Sequence, residues 1–327
     1  RHPTRGAYAH DLAVFRSRIA EDLMGQGRDD EAEPLLEQST TGLRDLIARY
    51  PDDPNRYEHF RHASTLHGIL KLHRRDLEAY ESLVGERLAM CDLARSRKDW
   101  RLIFNNLIRE QESVVLHRAG RLPTAERFVA FALAGWREIA TREPGATDAR
   151  HQIARWLAAD GYQKWSSDPS AAGEAFRQAI AIWESLIEGP ERSNSLVSLA
   201  RLRAACDDPA IRDPSKAVAH AREHMREHDR ASFLLGSCLC ENGEYEAARE
   251  ELERFLAEPS FEIRGWPGKL ARLYLALAYR KLGMQERAAA EIAAAGASSS
   301  IEGTIDWPTD AAFRRIETLL AERPENE

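Results

Sequence analysis

The chain has few of the features that mark membrane, disulfide-rich or nucleic-acid-binding proteins. Its longest nearly apolar runs, such as Phe128–Trp136 and Leu273–Ala278, fall far short of the roughly 20 residues that a bilayer span requires. The N-terminus carries no apolar segment of the signal-peptide kind. Only four cysteines are present, without disulfide-framework or zinc-finger spacing. With 46 basic and 53 acidic residues, a net charge of -7 leaves no basic stripe for phosphates. We therefore expect no membrane segment, no nucleic-acid partner and a reducing, cytoplasmic location.

Catalytic motifs are also missing. The sequence contains no glycine-framed serine, no His-Glu-x-x-His and no phosphate-cradling loop, and it lacks the glycine-rich loop, His-Arg-Asp and Asp-Phe-Gly motifs of kinases. We expect no catalytic residue, no cofactor and no metal, and we interpret the chain as a non-enzyme.

Three groups of residues still offer an alternative reading. One helix carries three histidines at a spacing of four, which is compatible with zinc, but no carboxylate or cysteine is tied to them in sequence, so a solvated face is favoured. A second histidine group is expected to have a structural role or to lie on the surface. The Cys-x-Cys pair is expected to be buried in a helix and not to form a disulfide, since residues two apart point in different directions. The three groups are His220, His224 and His228; His59, His62, His67 and His73; and Cys238 and Cys240.

The pattern that is present is a helix-turn-helix repeat. The clearest unit runs from about Ala231 to Pro259 and predicts a helix, a tight turn at Gly243 and a second helix. The next unit repeats the pattern about 40 residues later, with its turn at Gly283. Small residues such as Gly236 and Ala248 would allow the two helices to approach, while larger ones fill the space between layers.

Upstream, the pattern persists with longer and less even spacing. In the first unit four apolar residues fall on one helical face, and the chain turns near Gly27. Asp168-Pro169 and Asp213-Pro214 predict an N-cap followed by proline at the first helical position. The four apolar residues are Leu12, Phe15, Ile19 and Leu23, and the alanines that lead the second helices are Ala32, Ala79, Ala125, Ala175, Ala217, Ala248 and Ala288.

These observations predict an all-α fold, a right-handed α-α superhelix of about seven helix pairs plus a C-terminal capping helix. We divide the chain into divergent long-helix repeats at 1–230, two regular units at 231–296, and a linker with the capping helix at 297–327. The final helix is amphipathic, with Phe313, Ile316 and Leu320 on one side.

The two regular units resemble the tetratricopeptide repeat, whose signature is a tryptophan-like position followed by Leu-Gly, Tyr, Ala, Phe and Pro. The tryptophan position holds Ser232 and Arg272 here. Five short sequence segments, which here are called phrases, also resemble in their order the tetratricopeptide region that follows the kinase domain in serine/threonine kinases of planctomycete-type bacteria. This second resemblance implies a sensory or substrate-recruiting tail. The phrases are Tyr8–Ala13, Gly27–Glu33, Leu46–Pro54, Ile211–Ala221 and Leu275–Gly283.

A stacked array of this kind presents a groove lined by its first helices, in which a peptide or helix is often held. Several groove candidates are cationic, which favours an acidic or carboxylate-bearing protein or peptide partner. Ordinary surface arginines are the alternative interpretation. A small-molecule sensor or unrecognised enzyme is the second hypothesis, with a pocket near Trp136, Trp156, Trp165 and Trp183, unless those rings simply fill space between helices. The groove candidates are Arg18, Arg61, Thr65, Gln111, Arg118, Lys164 and Arg230.

Overall fold

A computed structural model describes residues 3–226, 232–258, 266–297 and 306–321, and these form sixteen α-helices without a β-strand. The helices are α1 Pro3–Gly25, α2 Asp29–Arg49, α3 Pro54–His73, α4 Leu77–Ala94, α5 Trp100–Leu107, α6 Glu110–Arg118, α7 Leu122–Arg142, α8 Thr147–Lys164, α9 Pro169–Leu186, α10 Arg192–Ala205, α11 Pro214–Met225, α12 Phe233–Glu241, α13 Tyr245–Ala257, α14 Trp266–Lys281, α15 Gln285–Ala297 and α16 Trp307–Ala321.

Consecutive helices pack in pairs, and the predicted all-α architecture of about seven pairs plus a C-terminal helix is confirmed in the described residues. The first helix of the third pair is split into α5 and α6. The chain forms two compact units, residues 1–135 and 136–327. The boundary predicted near residue 230 is of another kind, because it separates long repeats from regular ones. It stays a prediction.

Tight turns between the paired helices use the left-handed backbone conformation. Gly243 and Gly283 have φ of 81° and 78°, as the repeat pattern predicted. Arg75, with φ 59°, occupies the same place between α3 and α4 without being a glycine. Its side chain is exposed, so a Cβ in this conformation meets solvent rather than a neighbouring helix.

The predicted N-caps are confirmed at two second helices. Asp168 Oδ1 accepts a hydrogen bond of 3.0 Å from the backbone N of Ala171, and Asp213 Oδ1 accepts one of 3.0 Å from Lys216. Pro169 begins α9 and Pro214 begins α11, where a missing N–H leaves no hydrogen bond unmade.

The apolar stripe of α1 is not its buried face. Leu12, Phe15 and Ile19 are 37%, 63% and 48% exposed, whereas Ala13 and Ala20 are buried. The small face packs because it lets the backbones approach: Ser39 Oγ of α2 donates a 2.7 Å hydrogen bond to the carbonyl of Ala13. Close contact between α1 and α2 therefore takes precedence over burial of the larger side chains.

The first helix of the third pair is interrupted between α5 and α6. Ile108 and Arg109 adopt extended backbone conformations, with ψ of 114° and 138°, and so separate α5 from α6. Ile108 is buried at the break. After it, α6 turns two carboxylates, Glu110 and Glu112, toward the interior.

His151 makes the stability of the second unit depend on pH. It is 5% exposed on α8, with Nδ1 3.5 Å from Ser195 Oγ and its ring 6.2 Å from that of Trp183. Burial, assisted by the charge of Arg155 and opposed by Asp148, lowers its pKa to about 4. The folded state therefore disfavours the protonated form, and stability present above the unfolded pKa is lost as pH falls below about 6.5.

We expect His151→Leu to flatten this pH dependence. In the wild type, this group alone should lower the free energy of unfolding by about 1 kcal/mol between pH 7.5 and 5.5. Urea unfolding of both proteins across this range measures the difference in slope. The substitution changes packing as well, but a packing effect is the same at every pH. Equal slopes would contradict the assignment.

Candidate functional site

A buried ion pair joins three helices of the first unit. Arg87 of α4 is 1% exposed, and its Nη2 lies 3.3 Å from Glu112 Oε1 of α6. Its Nη1 donates hydrogen bonds to Ser64 Oγ at 3.3 Å and Thr65 Oγ1 at 3.4 Å, both on α3. Burial raises the pKa of Glu112, and the charge of Arg87 opposes that rise. The pair thus fixes α4 and α6 against α3.

Arg61 lies one turn before Thr65 and borders this ion pair. Its side chain is half-buried, and burial lowers its pKa, with a further lowering from Arg109 and an opposing effect from Glu112. Arg61 Nε is buried without a hydrogen-bond partner among the described residues, as is Glu112 Oε2. Because this Nε is shielded from solvent, an external acceptor would have to use the Nη groups of the planar guanidinium.

A pair of histidines joins this region to α1. His10 Nε2 and His59 Nδ1 are 2.9 Å apart, which joins α1 to α3. Burial lowers the pKa of His59, and the nearby His10 and Arg18 lower it further, while Glu58 opposes them. We call Arg18, His59, Arg61 and Arg109 the basic cluster, in which the three arginines carry the positive charge. It belongs to a chain whose net charge is -7, so it is a local accumulation of positive charge.

The predicted groove residues lie in different parts of the structure. Arg18, Arg61 and Thr65 lie together in the region just described, and Gln111 is half-buried beside Glu112. Arg118 is exposed in the last turn of α6. Two further candidates do not extend this site: Lys164 is in the second unit, where its Nζ pairs with Asp160 Oδ2 at 2.7 Å, and Arg230 lies outside the described residues.

Sequence reasoning missed Arg87 and Glu112. A signal for Arg87 was present, because it occupies a regular position on the apolar stripe of α4 that includes Tyr80, Val84 and Cys91, all buried. A charge in that position requires a partner. Glu112 gave no such signal, since its burial depends on the break before α6.

In the second unit, an arginine of a first helix already holds a carboxylate. Arg201 of α10 binds Asp306 through two hydrogen bonds, 2.9 Å from Nη1 to Oδ2 and 2.6 Å from Nη2 to Oδ1. Burial resists ionisation of Asp306, but Arg201 and the hydrogen bond from Thr309 together hold its pKa well below the usual range. This paired geometry is the strong form of arginine–carboxylate recognition.

The histidines of the zinc alternative are engaged in other ways. His224 Nδ1 lies 3.1 Å from Ser193 Oγ, and His220 is half-buried with a pKa lowered by burial and by Arg203. His228 lies outside the described residues. Among the residues that the structure describes, no group of three His, Cys, Asp or Glu side chains is placed to hold a metal ion.

The second histidine group is dispersed. His67 is buried, whereas the other three contact different partners on α1 and α2. His59 faces His10 at 2.9 Å, His62 Nε2 is 3.4 Å from Glu21 Oε2, and His73 Nδ1 is 3.4 Å from Asp29 Oδ2. These contacts join helices, in keeping with a structural role.

The cysteines and tryptophans are mostly core residues. All four cysteines are free thiols and buried, including Cys238 and Cys240, and burial raises the pKa of Cys206 and Cys238 to about 12. Such thiols are poorly reactive. Trp136, Trp156 and Trp183 are also buried, and Trp165 is half-buried, so three of the four rings fill space between helices.

Comparisons with known proteins give one family match and several similar solved structures. Residues 230–259 match the tetratricopeptide repeat family. Among solved structures, BtubC from P. vanneervenii shares 14% identity at a TM-score of 0.41, covering 89% of this chain and 92% of that one. Yeast Tom70 shares 14% identity at 0.37, covering 89% and 60%. The TPR domain of P58(IPK) shares 13% at 0.24, covering 95% and 99%. No curated protein matches the chain in sequence.

The tetratricopeptide match includes α12 and α13, which are the unit that the sequence singled out as the clearest. The chain therefore contains a tetratricopeptide repeat within a series of helix pairs. In the described part of the chain, no helix is both long and apolar enough to cross a bilayer.

Proposed function

We propose that this chain is a protein-interaction module whose first unit binds an acidic segment of a partner at the basic cluster. One observation carries the proposal: Arg61 is a half-buried cation near Arg109, and no carboxylate among the described residues forms a hydrogen bond with it. The tetratricopeptide match and the helix-pair architecture support an interaction role in general.

The chemistry of recognition follows from the planar guanidinium. A carboxylate in the plane of the Arg61 guanidinium would accept two parallel hydrogen bonds from Nη1 and Nη2, as Asp306 does from Arg201 in the second unit. Arg18 and Arg109 would add electrostatic attraction and accelerate the encounter. Glu58 and Glu112 lie in the same region, and Glu112 is already paired with Arg87, so the remaining charge favours an anionic ligand.

The proposal predicts the effect of charge reversal. Peptides selected from a random library for binding to the full chain should be rich in Asp and Glu. Arg61→Glu should weaken their binding by about tenfold to a hundredfold, because a charge-assisted hydrogen bond contributes about 1.5 to 3 kcal/mol. Arg118→Glu, at the exposed end of α6, should weaken it further. Fluorescence anisotropy with the selected peptides measures each dissociation constant.

Arg127→Glu provides the matched control, because Arg127 is exposed on α7, a second helix of the same unit. It changes the net charge by the same amount and should leave binding within about twofold. Equal losses in Arg61→Glu and Arg127→Glu would show only a general charge effect. Unchanged binding in Arg61→Glu would refute the site. Circular dichroism of each variant verifies that it is folded.

We further propose that the chain acts as the recruiting tail of a signalling serine/threonine kinase in a reducing, cytoplasmic compartment. The ordered phrases from Tyr8–Ala13 to Leu275–Gly283 support the kinase association. Four buried free thiols are compatible with a reducing compartment. The coding sequence upstream of Arg1 tests the association directly. A kinase domain encoded there supports it, and an unrelated domain or a start codon contradicts it.

A further inference from the structure

The first helices of the second unit form a continuous surface on which α16 lies. Contacts run from α8 to α10, from α10 to α12 and from α12 to α14, and each of these is the first helix of its pair. Helix α16 packs against α8, α10 and α14. The C-terminal helix therefore lies across the first helices of several repeats, which is the face where a helical-hairpin array presents its groove.

The N-terminal end of α16 is held by two specific contacts. Asp306 receives the paired hydrogen bonds of Arg201 and accepts a hydrogen bond of 3.1 Å from the backbone N of Thr309, so it also caps the helix. Trp307 is 1% exposed, and its ring is parallel to that of Tyr162 on α8, with an interplanar angle of 2° and centroids 6.3 Å apart. Arginine, tryptophan and tyrosine at a buried contact are typical of binding hot spots.

The C-terminal half of α16 is held by an apolar face and by polar contacts that include an ion pair with α12. Ile316 is fully buried in the core cluster that contains Leu270 and Tyr274 of α14. Arg315 Nε donates a 2.7 Å hydrogen bond to Glu241 Oε2 at the end of α12, and that carboxylate also accepts 3.2 Å from Tyr274 Oη. The helix thus buries one side and pairs charges at its edge, as an amphipathic helix does in a groove.

A small cleft follows the seam between α16 and the first helices. This cleft is open to solvent and is lined by residues of α10, α12, α14 and α16. Those that face it across the seam include Arg201, Phe233, Ser237, Tyr274, Thr309 and Ala312.

The eight residues between Ala297 and Asp306 contain three serines and a glycine, a composition typical of linkers.

We propose that the surface of α8, α10, α12 and α14 is a helix-binding groove, that α16 occupies it as an intramolecular ligand, and that a partner protein binds there by displacing α16. The partner segment is an amphipathic helix that begins with aspartate followed by an aromatic residue, because Arg201 and Tyr162 recognise those two groups in α16. This inference rests on the proposed interaction function and assigns a second surface and a control to it. A short linker gives α16 an effective concentration in the millimolar range, so a partner competes against that.

Release of α16 in the full-length chain tests the proposal. The probe is a fluorescein-labelled peptide of residues 305–322, whose binding is followed by anisotropy. The wild type should bind it weakly, because the groove is filled. Asp306→Lys should release α16 and bind the probe about tenfold more tightly or better, since it sets two cations against each other. Glu317→Lys, on the exposed side of α16, is the matched control and should behave as the wild type.

A charge exchange identifies the contact. Adding Arg201→Glu to Asp306→Lys should abolish binding of the natural peptide, while a peptide that carries Asp306→Lys should bind to Arg201→Glu chains. Should Asp306→Lys fail to fold, a protease site inserted between Ser300 and Gly303 allows α16 to be cut free from the folded wild type. The cut helix should then exchange for the labelled probe.

Three outcomes would overturn the proposal. In the first, hydrogen exchange shows that α16 is released in Asp306→Lys, but the probe binds no more tightly than to the wild type. In the second, the cut helix never exchanges for the probe, and in the third, the intact chain forms a concentration-dependent dimer. The last would assign the groove to α16 of a second copy. The Arg61 experiment concerns the first unit, so its result is independent. If acidic peptides still bind through Arg61 and the α16 probe does not bind, only this inference fails.

Discussion

Arg87→Met should lower the free energy of unfolding of the first unit by about 3 to 5 kcal/mol, because it leaves the buried carboxylate of Glu112 without its cation. Glu112 is 5% exposed, and its Oε2 already lacks a hydrogen-bond partner in the described residues. The loss should appear as reduced hydrogen-exchange protection in α3, α4 and α6. This local readout suits a chain of two units, whose global unfolding need not be two-state.

A double substitution separates the charge effect from packing. Arg87→Met with Glu112→Leu removes both charges and should recover most of the loss, since an apolar replacement of a buried pair is often neutral or stabilising. The pH dependence gives a second criterion. Without Arg87, the pKa of Glu112 rises further, and a raised folded pKa favours folding at low pH. The deficit relative to wild type should therefore be smaller at pH 5 than at pH 7. A deficit equal at both pH values and in both variants would identify packing as the cause.

Gly135→Ala should destabilise the first unit by about 2 to 3 kcal/mol, although alanine is the better helix former by about 1 kcal/mol. A Cβ at Gly135 would lie 2.2 Å from Phe104 Cζ and 2.4 Å from its Cε2. The ring cannot retreat easily, because Phe104 is fully buried, with the ring of Trp100 at 5.5 Å and that of Phe131 at 5.9 Å. Helices α5 and α7 therefore approach at a distance that only glycine permits.

Two further variants test this explanation. Gly85→Ala is the matched control in α4, where a Cβ meets nothing within 4 Å, and it should stabilise the protein by about 0.5 to 1 kcal/mol. Phe104→Leu shortens the opposing side chain, so Gly135→Ala should cost less in that background than alone. Thermal and urea unfolding compare the wild type with the three single variants and the double variant. Strictly additive losses would rule out the steric contact as the cause.

The two interaction proposals share one chemistry. In the second unit, Arg201 of a first helix already binds the carboxylate of Asp306 through paired hydrogen bonds. In the first unit, no carboxylate among the described residues forms a hydrogen bond with Arg61. The same recognition would therefore serve an internal ligand in one unit and an external ligand in the other.

Local features of the sequence predicted most of the helical architecture. The turn glycines Gly243 and Gly283 and the Asp-Pro starts of α9 and α11 depend only on residues a few positions apart, and all are observed where they were predicted. The repeat of small and large residues also predicted helix pairs. By contrast, the groove candidates depended on an assumed register of the repeats. That register placed Lys164 in the same set as Arg61, but the ammonium of Lys164 is paired with Asp160.

The sequence by itself thus determined the helices, their turns and their pairing, because backbone conformation and amphipathic period are properties of neighbouring residues. Only the tertiary structure decided which face of α1 is buried, that Glu112 meets Arg87, and that α16 lies across the first helices of the second unit. Each of these depends on contacts between residues distant in the chain, where close approach of small side chains or the pairing of a buried charge outweighs the local pattern. The C-terminal helix is amphipathic whichever surface it packs against, so its hydrophobic period cannot specify that surface.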